Sequence, residues 1–201
     1  MTDATTGQTA GMNRSATVAG RPPIGAAVLG FYVTVVVVQG GHVVEHIIQL
    51  IQVFVLGVPE NDALGLLGYV FAFQGTEEWL HIVFNATYLA ALLVIAWTLL
   101  GSPVARSLVP GWSMVAFLIF GVWLEGWHVV EHIVIISNVI ANNGCPCPGI
   151  LDARLGVSDT ILHFGYNAIA YAATVLPLAY VIRNGRRSGE SGGEPPFGVT
   201  H

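Results

Sequence analysis

Long apolar runs alternate with short polar connections along this chain. Residues 22–44, 79–105 and 160–182 carry no charged side chain, and neither does 107–124, which continues as a helical pattern through Glu125 and Glu131 to Asn142. Crossing a hydrocarbon layer of ~30 Å takes about 20 helical residues. The pattern therefore predicts four spans, at about 24–56, 76–100, 111–142 and 158–182. The expected fold is all-α, a polytopic membrane protein with a four-transmembrane-helix bundle. Thr76 and Ser158 are suited to cap helices, each followed by an acid, Glu77 or Asp159, that favours a helix start. The first and third spans exceed what a bilayer needs and should tilt or project. Pro177 should kink the fourth. The apolar stretch 65–73 is too short to cross and should lie at the interface or re-enter.

Inside this apolar framework one polar signature recurs. Gln39-Gly-Gly-His42-Val-Val-Glu45-His46-Ile47 returns as Glu125-Gly-Trp-His128-Val-Val-Glu131-His132-Ile133, with seven of nine positions identical. A second pattern follows each copy: Glu77-x3-His81-x3-Asn85 opens the second span and Asp159-x3-His163-x3-Asn167 opens the fourth. Two patterns repeated in the same order predict two parallel two-helix repeats, related by an axis along the membrane normal. The first repeat covers 22–105 and the second 106–185. They are flanked by a Thr/Gly/Ala-rich terminus, 1–21, and a polar tail, 186–201, both of disordered composition.

Helix rise converts these positions into depth. His42 and His128 lie ~27 and ~25 Å up their ascending spans, while His81 and His163 lie about 7 Å below the tops of descending ones. All six histidines therefore fall at one level, in the outer leaflet.

Ionisable groups at such depth cost several kcal/mol and are functional by default. His42 and His46 are one turn apart and can share an ion, as can His128 and His132. His81 and His163 would each add a third imidazole. Glu45 and Glu131 lie in the same turns and could ligate, bridge or accept protons, which makes them the candidate catalytic residues. Glu77, Asn85, Asp159 and Asn167 are weaker candidates, since helix-start acids and interhelical amides also explain them. Imidazole suits copper, iron or zinc and disfavours calcium and magnesium. Two three-histidine sets have the ligand count of coupled dicopper sites, and His with carboxylate that of His-rich membrane di-iron oxygenases. The likeness is one of ligand inventory. His-x-x-Glu-His also reads as an inverted zinc-peptidase motif, but its duplication with matching partners disfavours that.

Gly40, Gly41 and Gly126 would allow close helix approach. Gln49 and Gln52 extend the polar face of the first span where the third has Ile135 and Asn138. Below the histidines, 31–38 and 117–124 are apolar apart from Thr34, which disfavours a transmembrane ion path. Cys145-Pro-Cys147 could form a strained disulfide or a soft-metal entry point; the sequence leaves both open.

Composition fits: 54% of residues are hydrophobic and 9% charged. The lack of Lys and of a basic patch argues against a nucleic-acid partner. Arg14, Arg21, Arg106, Arg183, Arg186 and Arg187 fall on one side of a four-span layout and Arg154 alone on the other. The positive-inside rule then places the protein in the cell membrane with both termini cytoplasmic. The expected function is a dinuclear redox enzyme of oxygenase or oxidase type, holding two transition-metal ions, copper or iron ahead of zinc. Its partners would be membrane lipid, dioxygen and a small apolar substrate entering laterally. Alternatives are haem-based electron transfer through paired axial histidines, and a metal transporter or sensor.

The Arg asymmetry carries a prediction. Tags at either terminus should be protected from protease in right-side-out cells, while a Cys placed at Arg154 should react with an impermeant thiol reagent. Labelling of the termini from outside would invert the topology.

Overall fold

The computed structural model describes residues 25–70, 77–142 and 149–190. Cys145, Cys147, Thr76 and the terminus 1–21 lie outside the described residues, as does most of the tail. All secondary structure among the described residues is helical. Four helices are long and apolar enough to cross a membrane. They are α1 (Ala26–Phe54), α3 (Glu77–Gly101), α5 (Gly111–Ala141) and α7 (Asp159–Glu190). Short helices occupy the connections: α2 (Gly65–Val70), α4 (Pro103–Leu108) and α6 (Ile150–Leu155). Neither α4 nor α6 was expected from the pattern. At the other margin α7 runs on to Glu190, so the start of the expected disordered tail is helical.

One stripe on each long helix faces inward. On α1 it is Tyr32, Val35, Gln39, His42, Glu45, His46, Gln49 and Gln52, the three-to-four-residue spacing of a single helical face. Val37, Val38, Val44, Ile47 and Ile51 point outward instead. Such a surface, apolar outside with the polar stripe enclosed, is stable in lipid because each buried polar group can meet another across the bundle. α1 packs mainly on α7, and α3 on α5.

Composition splits the interior into two halves. At the end bearing α4, the core is apolar: Tyr32, Leu92, Ile95, Leu99, Ala105, Phe117, Leu178 and Val181. At the other end, beneath α2 and α6, the interior is histidine, glutamate and amide. α5 contains a π-helical segment at Phe117–Trp123 just before Glu125, closing with Leu124 N–H on the Ile119 carbonyl. Wider turns of this kind add a residue to the helix and re-aim the side chains that follow. α7 continues through Pro177 without a break. One turn before it, the Thr174 carbonyl accepts from the Tyr32 hydroxyl at 2.7 Å.

The start of α7 is capped from the opposite loop. Ser158 holds the N-cap position, its carbonyl accepting from Ile161 and Leu162. Its hydroxyl, however, donates to Glu60 rather than to its own helix. The same Glu60 oxygen accepts from the Thr160 N–H at 2.9 Å, so the expected Ser158 cap is replaced by a carboxylate from the first connection. This clasp joins the two connections over the histidines.

Partial burial works to raise the Glu60 pKa, but hydrogen bonds from Ser158 and Thr160 outweigh it and hold the carboxyl below its ordinary range. A depressed acid contributes stability above the ordinary glutamate value of 4.5 and loses it as pH falls below that. Protection of the Thr160 amide, corrected for intrinsic exchange, should therefore drop on acidification past that point. Glu60→Gln should weaken protection at neutral pH and abolish its acid dependence.

Candidate metal centre

The inward stripes bring six histidines of four helices into one cluster, five of them buried and His81 half-buried. One-turn spacing places His42 and His46 with their Nε2 atoms 3.2 Å apart on α1, and His128 and His132 with theirs 3.1 Å apart on α5. Two imidazole nitrogens bound to one tetrahedral ion at 2.0–2.1 Å would be about 3.3 Å apart. Both pairs already stand near that separation. The ligand nitrogens of His128, His132 and His163 all lie within 4.8 Å of one another, and the three residues are buried.

The two expected triads are not equally compact. Ring centroids within His128, His132 and His163 are 4.8, 5.2 and 4.7 Å apart. In the other set His42 and His46 are 4.5 Å apart, but His81 stands 6.0 and 5.8 Å away. His81 is in fact nearer His132, at 5.6 Å, so it sits between the sets. The closest approach of α1 to the second triad is His46 to His163, 6.2 Å.

Neighbours fix several of the rings. His46 Nδ1 pairs with Gln49 Oε1 at 2.7 Å. His163 Nδ1 faces the Asp159 carbonyl at 2.9 Å and its carboxylate at 3.0 Å, which leaves Nε2 for an ion. Phe84 stacks on His42 with centroids 4.1 Å apart, and Tyr166 stacks on His128 at 4.8 Å.

Glu45 and Glu131 lie in the expected turns, but their carboxylates reach the short outer helices. Glu45 accepts from the Leu67 N–H of α2 at 2.6 Å. Glu131 accepts from Ile150 and Leu151 of α6 at 2.5 and 3.1 Å. Glycine makes room in both places: a Cβ on Gly65 would stand 2.2 Å from the Glu45 carboxylate, and one on Gly149 2.6 Å from that of Glu131. Gly65 also has φ +66°, a conformation that favours glycine. Gln52 adds a third anchor, its side-chain oxygen accepting from Gly65 N–H at 2.9 Å. The glutamates thus tie a connection to the histidine-bearing turn.

Among the weaker candidates, Asn167 accepts from Gln39 Nε2 at 2.8 Å and donates to the His163 carbonyl at 2.9 Å. Asn85 is fully buried with no hydrogen bond to either amide atom. The Glu77 side chain lies outside the described residues. Of the three glycines, Gly40 fits close packing, since a Cβ there would meet the Tyr171 hydroxyl at 3.1 Å; Gly41 and Gly126 face open space.

Two corrections follow. The region below the histidines is not free of polar groups. Gln39, Asn85, Glu125, Asn167 and Thr174 are buried there, and Tyr88 bonds to Thr174 at 2.9 Å. The apolar 31–38 and 117–124 segments concealed this because most of these groups come from other helices. Thr34 instead bonds to the Gly30 carbonyl on the exposed side. Second, Glu125 is a site residue that motif reading passed over. It is fully buried without a hydrogen-bond partner, and its Oε2 is 3.6 Å from His128 Nδ1. Its signal was present: it occupies the first position of the recurring nonapeptide, one turn before the histidine. Phe84 and Tyr166, each three residues after a histidine, were legible in the same way.

No family model matches the chain, and searches of characterised proteins and of solved structures find no significant match. Any functional assignment therefore rests on the site.

The loop anchors generate a test. Hydrogen bonds to a charged acceptor contribute about 1.5–3 kcal/mol. Glu131→Gln should speed amide exchange at Ile150 and Leu151 by roughly tenfold or more while metal content stays near wild type. Lost metal with unchanged exchange would make Glu131 a ligand.

Proposed function

We propose that this chain is an integral membrane metalloprotein that holds two transition-metal ions and works as a dinuclear oxidase or oxygenase. The observation that carries the proposal is the convergence of six imidazoles from four helices, five buried and His81 half-buried, with paired Nε2 atoms at near-ligand separation. In this reading His42, His46 and His81 hold one ion, and His128, His132 and His163 the other. Their spacing follows from two parallel repeats; the matching positions of Phe84 and Tyr166, and of the Glu45 and Glu131 anchors, support that ancestry.

Bound there, a pair of copper or iron ions would supply dioxygen activation and electron transfer. The chain's own residues orient the ligands, exclude bulk water and cover the site with α2 and α6. An apolar substrate would reach it from the lipid, past the apolar outer faces of the helices. Copper and iron are preferred because redox chemistry gives a dinuclear site a use; zinc would fit the donors equally well. Glu45 and Glu131 act in this scheme by holding the cover, and reach the reaction only through it.

The haem alternative is less well supported, since rings packed at 4.5–6.2 Å leave no slot for a macrocycle between axial partners. Transport has gained one supporting observation, the buried polar layer below the histidines. It remains second because Leu92, Ile95, Leu99 and Phe117 close the bundle beyond that layer.

Purified protein should contain two metal ions per chain, and His42→Ala or His128→Ala should each reduce this to about one or fewer. Dioxygen consumption or redox cycling should disappear in both variants. A folded, metal-free protein that cannot be reconstituted would overturn the proposal. Metal flux in proteoliposomes without redox activity would favour transport.

A further inference from the structure

The two triads occupy matching places in the recurring motifs, yet they differ in compactness and in the residue one turn before the first histidine. The triad of His128, His132 and His163 is compact, with all its ligand nitrogens within 4.8 Å. The other must draw in His81, whose centroid is about 6 Å from both partners. One turn before His128 stands Glu125, fully buried, with its Oε2 3.6 Å from His128 Nδ1. One turn before His42 stands Gln39, whose amide is committed to Asn167. The compact triad has a second carboxylate behind His163, where Asp159 meets Nδ1 at 3.0 Å. The matching acid before His81 is Glu77, whose side chain lies outside the described residues, while His46 is held by the neutral Gln49.

A carboxylate facing the outer nitrogen of a metal-bound imidazole fixes its tautomer and raises its basicity, and losing such a partner typically costs 10–100-fold in affinity. A dication bound there would favour the ionised form of this carboxyl group, and within an apolar bundle the two would attract with little screening. We infer that the two metal positions are inequivalent: His128, His132 and His163 form the tight site that fills first with a divalent first-row ion, with Glu125 as its positioning residue, and His42, His46 and His81 form a weaker site that fills second. The inference rests on the proposed metal function. It adds an order of loading and a ground for chemical division of labour, one ion held permanently and the other exchangeable.

The test uses the full chain in detergent, stripped of metal and titrated with Co(II) against a competing chelator. The ligand-field bands of Co(II) report the coordination of each step. Wild type should bind in two resolved steps. His42→Ala should retain the tight step with its spectrum, and His128→Ala should lose it. Glu125→Gln should weaken the tight step by about 10–100-fold and shift its bands, while Glu125→Asp restores most of the affinity. Gln39→Glu should narrow the gap by strengthening the second step, a gain that damaged folding could not produce. Two equal steps in wild type, or a tight step that survives in His128→Ala and not in His42→Ala, would overturn this inference and leave the dinuclear proposal standing. No Co(II) bound by folded protein would overturn both.

Discussion

Polar groups in a hydrocarbon layer have to meet other polar groups, and the rest of this structure depends on that constraint. Each long helix carries imidazole, carboxylate or amide on one face, and lipid offers those groups nothing. The stripes therefore face one another. Once Gln39, His42 and His46 of α1 turn inward, Val37, Val38 and Val44 turn outward, and the helix's rotation is set. The same holds for α5 through Glu125, His128 and His132. Polar burial orients these helices in the way that apolar burial orients those of a water-soluble bundle.

The division of the interior into two halves follows from this. The apolar half, around Leu92, Leu99 and Phe117, packs without any need for directed bonds. The polar half must be satisfied group by group, and it is satisfied in layers. Outermost, Glu45, Gln52 and Glu131 bind backbone N–H groups of the connections, and Glu60 of the first connection binds that of Thr160 at the start of α7. Beneath them lie the histidines, whose nitrogens converge on each other. Lowest is a layer of amides with Glu125, in which Gln39 and Asn167 pair while Asn85 and Glu125 do not. Unmet polar atoms in so apolar a setting are costly, and they concentrate beside the candidate metal centre.

Much of this was legible beforehand. The four spans, their boundaries within about two residues at most ends, and the common depth of six histidines came from uncharged runs, helix rise and a recurring nonapeptide. Those are local properties, and a helix spanning a membrane has few alternatives. The recurrence also marked Glu125, Phe84 and Tyr166 by position, but nothing in one dimension said that these positions approach a histidine ring. The carboxylates of Glu45 and Glu131 invited a reading as ligands because they share the turn with the histidines. Their partners are backbone N–H groups about 20 residues away, and such groups are invisible in a sequence because every residue has one.

Near-neighbour patterns thus carry the class of structure and the chemistry available to it: helices long and apolar enough to cross a membrane, with imidazole and carboxylate held at one depth. Periodicity and hydropathy suffice for that, since each depends on near neighbours along a helix. How the histidines group is instead a matter of helix packing. His81 stands between the two sets, the triad around His163 is the compact one, and Glu125 lies 3.6 Å from His128 while Gln39 pairs with Asn167. Those outcomes depend on how four helices rotate and approach, and on a π-helical turn that re-aims α5, none of which a motif's spacing specifies.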